Sequence, residues 1–343
     1  MNELTIQEAA EIPISRVRFR GGFWLRAAFG ALMIVLLLRM IDFQRLFATL
    51  TSVDPRPIVL ALLVMMLNFL TKTYRWSFVL RSRRPDVSFR QLARLNFVSL
   101  FLGNFLPTSI SYDALRVYYV SKRAVDPRVA ISSIFADRVI GHFSIAISAL
   151  VAFTALTLRG VFSIRPMLSF GITAFLALSL GLPLALCNRK VVGALRAVLD
   201  RFTGRQLFES VQDLAGHLLS YWQQAPVMGK ALGIAFFNLL LAVFEYYLIA
   251  VGLLAQIPVG YFFLFIPLVI FLSMLPVSVG GVGLVEGGLV FAFSQVGMAA
   301  ETCLSIAVLH RALQVVCVLP GGALYILDGF PKISGRGMEG GWA

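Results

Sequence analysis

Long apolar runs alternate with short basic stretches along almost the whole chain. A helix that crosses a bilayer needs about 20 mainly apolar residues. Six runs approach or exceed that length: Trp24–Ile41, Pro57–Leu80, Ala130–Leu158, Met167–Cys187, Lys230–Leu254 and Ala300–Leu327. Two other stretches read differently. Arg90–Leu106 leads into Pro107-Thr-Ser-Ile-Ser-Tyr-Asp113 and then Ala114–Val120; Tyr261–Leu275 leads into Pro276 to Gly283 and then Leu284–Phe293. In each, a proline with no N–H to donate stops the first helix, and neither apolar piece is long enough to cross alone. The second break holds Gly280, Gly281 and Gly283, residues that permit positive φ and close backbone approach. Irregular backbone persists at membrane depth only where protein buries it or water reaches it. Both stretches are therefore predicted to be re-entrant broken helices, with a plain surface loop as the alternative for the second. Residues 188–226 mix charges with apolar pairs and are predicted to be an amphipathic cytoplasmic linker.

Composition agrees with this pattern. The 343 residues are 59% hydrophobic and 14% charged, and the mean hydropathy is +0.84. A soluble domain is nearer 45–50% apolar and about 25% charged. The net charge of +13 does not point to nucleic acid, because the basic residues cluster between apolar runs, as in the cytoplasmic loops of membrane proteins. Arg81, Arg83, Arg84, Arg90 and Arg94 follow the second run, whereas residues 254–300 hold no Lys or Arg. Six spans with both termini in the cytoplasm satisfy the positive-inside rule. Residues 1–15 are polar, and the apolar stretch behind Arg16, Arg18 and Arg20 is too long for a cleavable signal. Cys187, Cys303 and Cys317 have no paired spacing and read as small core residues.

This topology makes the hairpin at 90–120 dip in from the cytoplasm and the one at 261–293 from outside. The expected fold class is an all-α polytopic membrane protein: about six transmembrane helices plus two re-entrant broken helices in an inverted repeat. One membrane domain covers 1–343, with a first repeat at 57–158 and a second, inverted repeat at 230–327. Lys72 and Glu245, Asp113 and Glu286, Asp137 and His310, and Arg138 and Arg311 are each 173 residues apart, and Pro107 and Pro276 are 169 apart. Inverted repeats with discontinuous helices near the midplane are an architecture of secondary transporters.

Ionisable residues in spans are costly, at about 2.5–3.5 kcal/mol or more for Arg or Asp at a helix centre. Asp137, Arg138, Glu245, Glu286 and Arg311 are expected to face inward and pair. Two readings stay open. The charges form a structural set that joins the repeats, or they form a headgroup site in which Arg138 and Arg311 grip a phosphate beside helix N-termini near Ser109–Asp113 and Gly281–Gly283. His310 is either a hydrogen-bonded core residue or a proton relay. Lys72 and Arg75 are expected to snorkel to the interface.

Asn104-Phe-Leu-Pro107, Asp113-Ala-Leu-Arg116, Asp137-Arg138-Val-Ile-Gly141 and Pro276-Val-Ser-Val-Gly-Gly-Val-Gly283 with Glu286 together resemble the lysylphosphatidylglycerol synthase transmembrane-region family. This flippase-like family includes membrane proteins linked to hopanoid lipids. The resemblance covers roughly residues 20–330. It implies lipid handling in the bacterial inner membrane. It also marks Asn104, Asp113, Arg116, Asp137, Arg138, Gly281, Gly283 and Glu286 as substrate-binding candidates, beside Glu245, His310 and Arg311 from the charge pattern. The family has glycines ahead of the aspartate at 113; this chain has Ser111 and Tyr112. No aminoacyl-transferase domain follows the last span in this sequence, so lysine transfer to lipid is not expected.

The three histidines have no metal-ligand spacing, and no phosphate-binding lysine loop or nucleophile elbow occurs. No cofactor, no metal and no enzymatic activity are expected. The expected function is lipid flipping or transport, of a phospholipid or an isoprenoid or hopanoid lipid. The alternative is a non-catalytic partner or scaffold of a lipid-synthesis enzyme, with an acyl- or glycosyl-transferring enzyme a distant third. A homodimer through the first and fourth apolar runs is a further expectation.

Overall fold

The computed structural model describes residues 48, 51–105, 109–121, 126–158, 221, 224–274 and 281–327. The runs at 24–41 and 167–187, most of the 188–226 linker, and residues 106–108 and 275–280 of the two proline breaks lie outside the described residues, as does the dimer contact expected through the first and fourth runs. Every regular element among the described residues is a helix. In order these are α1 Pro55–Arg81, α2 Phe89–Phe105, α3 Ser109–Ser121, α4 Pro127–Leu158, α5 Ala225–Gly252, α6 Val259–Met274, α7 Leu284–Ser294 and α8 Ala300–Leu327. The series long, short, short, long occurs twice.

Local sequence explains the ends. Asp54 caps α1 by accepting the Arg56 N–H at 3.0 Å, with Pro55 in the first turn, where its missing N–H costs nothing. The loop after α1 is tied by an Arg84–Asp86 pair at 2.8 Å, and that guanidinium holds the Asp86 carboxyl down to about 2. Before α7, Gly281 and Gly283 adopt φ of +74° and +83°, the left-handed region that glycine enters without a Cβ penalty. Glu286 then accepts the Gly283 N–H at 2.7 Å, one half of a capping box.

Among the described residues, four helices are long and apolar enough to cross a membrane: Pro55–Arg81, Pro127–Ala155, Ala225–Gly252 and Ala300–Leu327. Val59, Leu63, Leu67 and Leu70 of α1 are exposed, as are Phe237, Leu240 and Phe244 of α5. Such outward apolar stripes suit lipid as solvent. The largest buried cluster gathers Phe262, Phe265 and Ile266 of α6 with Leu289 and Phe293 of α7 and residues of α1, α5 and α8. Phe293 meets Phe262 and Phe265 at centroid distances of 4.7 and 5.1 Å, within the range of favourable aromatic pairs.

The halves interlock. α1 packs on α5, α2 on α8, and α6 on α4, so each cross-contact has its counterpart. The α1–α5 register runs antiparallel. Asp54 N–H bonds Gly252 O at 2.9 Å, Asn68 meets Glu245 at 2.6 Å, and Asn238 donates to Thr71. At the α2–α8 crossing, a Cβ on Gly321 would lie 2.1 Å from Phe97 O, and one on Gly322 2.7 Å from the Phe101 ring. Glycine is the only residue that allows this backbone approach, as at many membrane helix interfaces.

Candidate functional site

In each half a carboxylate on the third helix meets an arginine on the fourth. Arg138 of α4 reaches Asp113 of α3 through Nε at 2.8 Å and Nη2 at 2.5 Å. Arg311 of α8 reaches Glu286 of α7 at 3.2 Å. Both pairs are 25 residues apart in sequence. Each carboxylate also has a second donor. Arg116 bonds Asp113 at 3.2 Å, and its guanidinium lies 3.9 Å above the Trp76 ring and 5.0 Å from the Tyr112 ring. Glu286 keeps the Gly283 N–H.

A second pair in each half joins its last helix to its first. Arg75 of α1 holds Asp137 of α4 in two hydrogen bonds, at 2.7 and 3.2 Å, with both residues buried. Glu245 of α5 lies 3.6 Å from His310 Nε2 of α8 and accepts from Asn68 at 2.6 Å. The His310 ring stacks on Tyr246 at 4.1 Å and 14°.

Between the halves lies a cavity of about 370 Å³ to which all eight helices contribute. Asn68 and Lys72 come from α1, Asn104 from α2, Tyr112 from α3 and Arg138 from α4. Glu245 and Tyr246 come from α5, Ser273 from α6, Val285 from α7, and His310, Arg311 and Gln314 from α8. Phe69, Leu100, Val269 and Ile270 complete an apolar part of the wall. The formal charges on the wall are three cations (Lys72, Arg138, Arg311) and one carboxylate (Glu245), leaving His310 aside.

Of the residues singled out in the sequence, Asn104, Arg138, Glu245, His310 and Arg311 line this cavity. Asp113 and Glu286 stand behind the two arginines, and Arg116 lies behind Asp113. Asp137 is turned to Arg75 and off the cavity wall. Gly281 and Gly283 shape the approach to α7 and also lie off the wall. The snorkelling expected of Arg75 is corrected, since Arg75 is 8% exposed and paired with Asp137; Lys72 is exposed and on the cavity wall. Their distance from the helix end said nothing of which face they occupy. Asn68 and Asn238 went unremarked in the sequence, although two amides in apolar runs 170 residues apart are the signal of a polar seam. Tyr112, directly ahead of Asp113, donates to Asn96 of α2 at 2.6 Å. Asn96 in turn donates to Thr73 at 2.5 Å, so the phenol ties α3 to α2 and α1. Cys303 and Cys317 are buried free thiols.

Residues 23–321 match the family model described as the lysylphosphatidylglycerol synthase TM region. The chain belongs to this family. A UPF0104 membrane protein of Methanocaldococcus jannaschii is 25% identical over 111 residues, 32% of this chain and 33% of the relative. A second UPF0104 membrane protein, from Pyrococcus horikoshii, is 24% identical over 140 residues, 40% of this chain and 42% of the relative. The aligned parts thus span less than half of either relative. As a family member with several apolar membrane-length helices, this is a multi-pass membrane protein.

Proposed function

We propose that this family member moves a lipid with an anionic or polar headgroup between leaflets through the cavity between its two halves. The observation that supports this reading is that Arg138 and Arg311, one from each half, line the same cavity. A bare phosphate in hydrocarbon is prohibitively costly, as is any unpaired buried charge. Two guanidiniums replace its water with charge-assisted hydrogen bonds, while the acyl chains stay in the bilayer. The resident carboxylates make the exchange tolerable. When a headgroup draws Arg138 away, Asp113 keeps Arg116; when it draws Arg311 away, Glu286 keeps the Gly283 N–H. Neither acid is left buried and unpaired, the state that makes breaking such pairs expensive. Relative motion of the halves about the α1–α5 seam then switches access. On this reading the protein is a transporter and not an enzyme. It works in the cell membrane with both termini cytoplasmic, its partners are lipids, and it needs no cofactor.

The test is movement of a fluorescent phosphatidylglycerol in proteoliposomes. Arg138→Ala and Arg311→Ala are each expected to abolish it while eluting as folded protein. Wild-type rates in both variants overturn the site. Failure of the wild-type protein to move lipids of any class overturns transport in favour of a scaffold role.

A further inference from the structure

The two halves differ at one pair of equivalent contacts. In each, the residue just before the cavity arginine of the last helix reaches back to a first helix. Asp137, before Arg138, takes Arg75 in two hydrogen bonds. His310, before Arg311, meets Glu245 at 3.6 Å. The order of charge is reversed, and a guanidinium that never gives up its proton is replaced by an imidazole. The first pair lies off the cavity wall, whereas both members of the second line it and so meet whatever enters. Glu245–His310 is a true ion pair only when the ring carries its second proton, and an unperturbed histidine titrates in the physiological range.

We infer that the Glu245–His310 pair takes up a proton when an anionic headgroup enters the cavity, so that headgroup and proton cross together. This rests on the transport reading above. The groups around the ring set the sign. On α5, Glu245 faces Nε2 and Tyr246 stacks on the ring. Arg311 neighbours it on α8, with Glu286 of α7 bound to that arginine. Lys72 of α1, Tyr112 of α3 and Arg138 of α4 stand on the other walls, while α2 and α6 contribute the uncharged Asn104 and Ser273. In the empty cavity Arg138 is paired with Asp113 and Arg311 with Glu286, which leaves Lys72 and Glu245 as the other formal charges on the wall. A phosphodiester held by Arg138 and Arg311 adds one negative charge close to the imidazole, which favours the protonated form. The proton comes from water, adds to the ring nitrogen without an N–H, and leaves when the headgroup does. Glu245, with Asn68 bonded to its other oxygen, is held to receive it.

The experiment is calorimetric titration of the full-length protein in detergent with dihexanoyl phosphatidylglycerol, at pH 7.5, in two buffers of different ionisation enthalpy. The probe's diester exchanges no proton at this pH, so buffer-dependent heat reports protein protonation. The expected result is uptake approaching about one proton per lipid, falling to near zero in His310→Lys, whose ammonium is already charged. Buffer-independent heat in the wild-type protein overturns the coupling and leaves lipid binding standing. Undiminished uptake in His310→Lys also overturns it, because the proton then lands elsewhere. Absence of binding by the wild-type protein overturns both the cavity reading and the coupling. A second measurement needs no variant. In wild-type proteoliposomes, a proton gradient pointing along the direction of lipid movement should accelerate that movement, and an equal rate with and without the gradient overturns the proposal.

Discussion

Replacing Arg75 with methionine keeps most of the side-chain volume and removes the charge that faces Asp137. The two hydrogen bonds, at 2.7 and 3.2 Å, vanish, and a carboxylate that is only 6% exposed is left without its cation. Removing one partner of a buried pair costs about 3–5 kcal/mol, because the remaining charge stays desolvated. At about 1.4 kcal/mol per decade, this is roughly a 100- to 4,000-fold loss in the folding equilibrium. The double variant Arg75→Met/Asp137→Leu removes both charges, and well-packed apolar replacements for a buried pair are often neutral. It should therefore recover all but about 1 kcal/mol of the loss. Reversible unfolding in mixed micelles, followed by tryptophan fluorescence, measures both variants in the same background. If Arg75→Met lies within about 1 kcal/mol of wild type, the pair is not a desolvated lock between α1 and α4. If the double variant is as unstable as the single one, the loss comes from packing and not from an orphaned charge.

Two further outcomes follow from the fold. Gly321→Ala places a methyl group against the Phe97 carbonyl, 2.1 Å from the oxygen, so α2 and α8 must separate; a loss of about 1–3 kcal/mol is expected from overpacking, and an unchanged midpoint of thermal unfolding refutes the close crossing. In a cysteine-free background, Asp86→Cys, in the loop between α1 and α2, should react with an impermeant maleimide from the cytoplasmic side and Ala299→Cys, ahead of α8, from the outside. Reaction of both from one side refutes the opposed orientation of the halves.

The membrane-length helices were legible because a bilayer imposes a simple rule of length and apolarity. Runs read at 57–80, 130–158, 230–254 and 300–327 are helices at Pro55–Arg81, Pro127–Leu158, Ala225–Gly252 and Ala300–Leu327. The ends moved because Asp54 and the prolines near helix starts extend the helix beyond its apolar stretch. Arg138 and Arg311 were legible as a matched pair, since an equal offset of 173 residues also relates the carboxylates that hold them. The partner of Asp137 was not, because Arg75 lies six residues before the end of α1 and sequence does not reveal which face it occupies. Nor was the Asn68–Glu245 bond, which joins positions 177 residues apart and depends on the antiparallel register of α1 and α5. Tyr112 was noticed only as a departure; its role needed the position of Asn96.

The polar seam along α1 has a consequence for how the protein is made. Ribosomes add about 5–20 residues per second. Asp137 is synthesised 62 residues after Arg75 and Glu245 177 residues after Asn68, so at that pace Arg75 waits roughly 3–12 s and Asn68 roughly 9–35 s for its partner. During that interval α1 carries an unmatched guanidinium and an unmatched amide. A helix in this state does not belong in bulk lipid, where each such group is costly. It belongs beside the translocation machinery or at a water-filled site until α4 and then α5 arrive. The contacts that join α1 to α4 and α5 in the finished protein therefore also impose a schedule on its membrane insertion, with Arg75 neutralised well before Asn68 meets its partner.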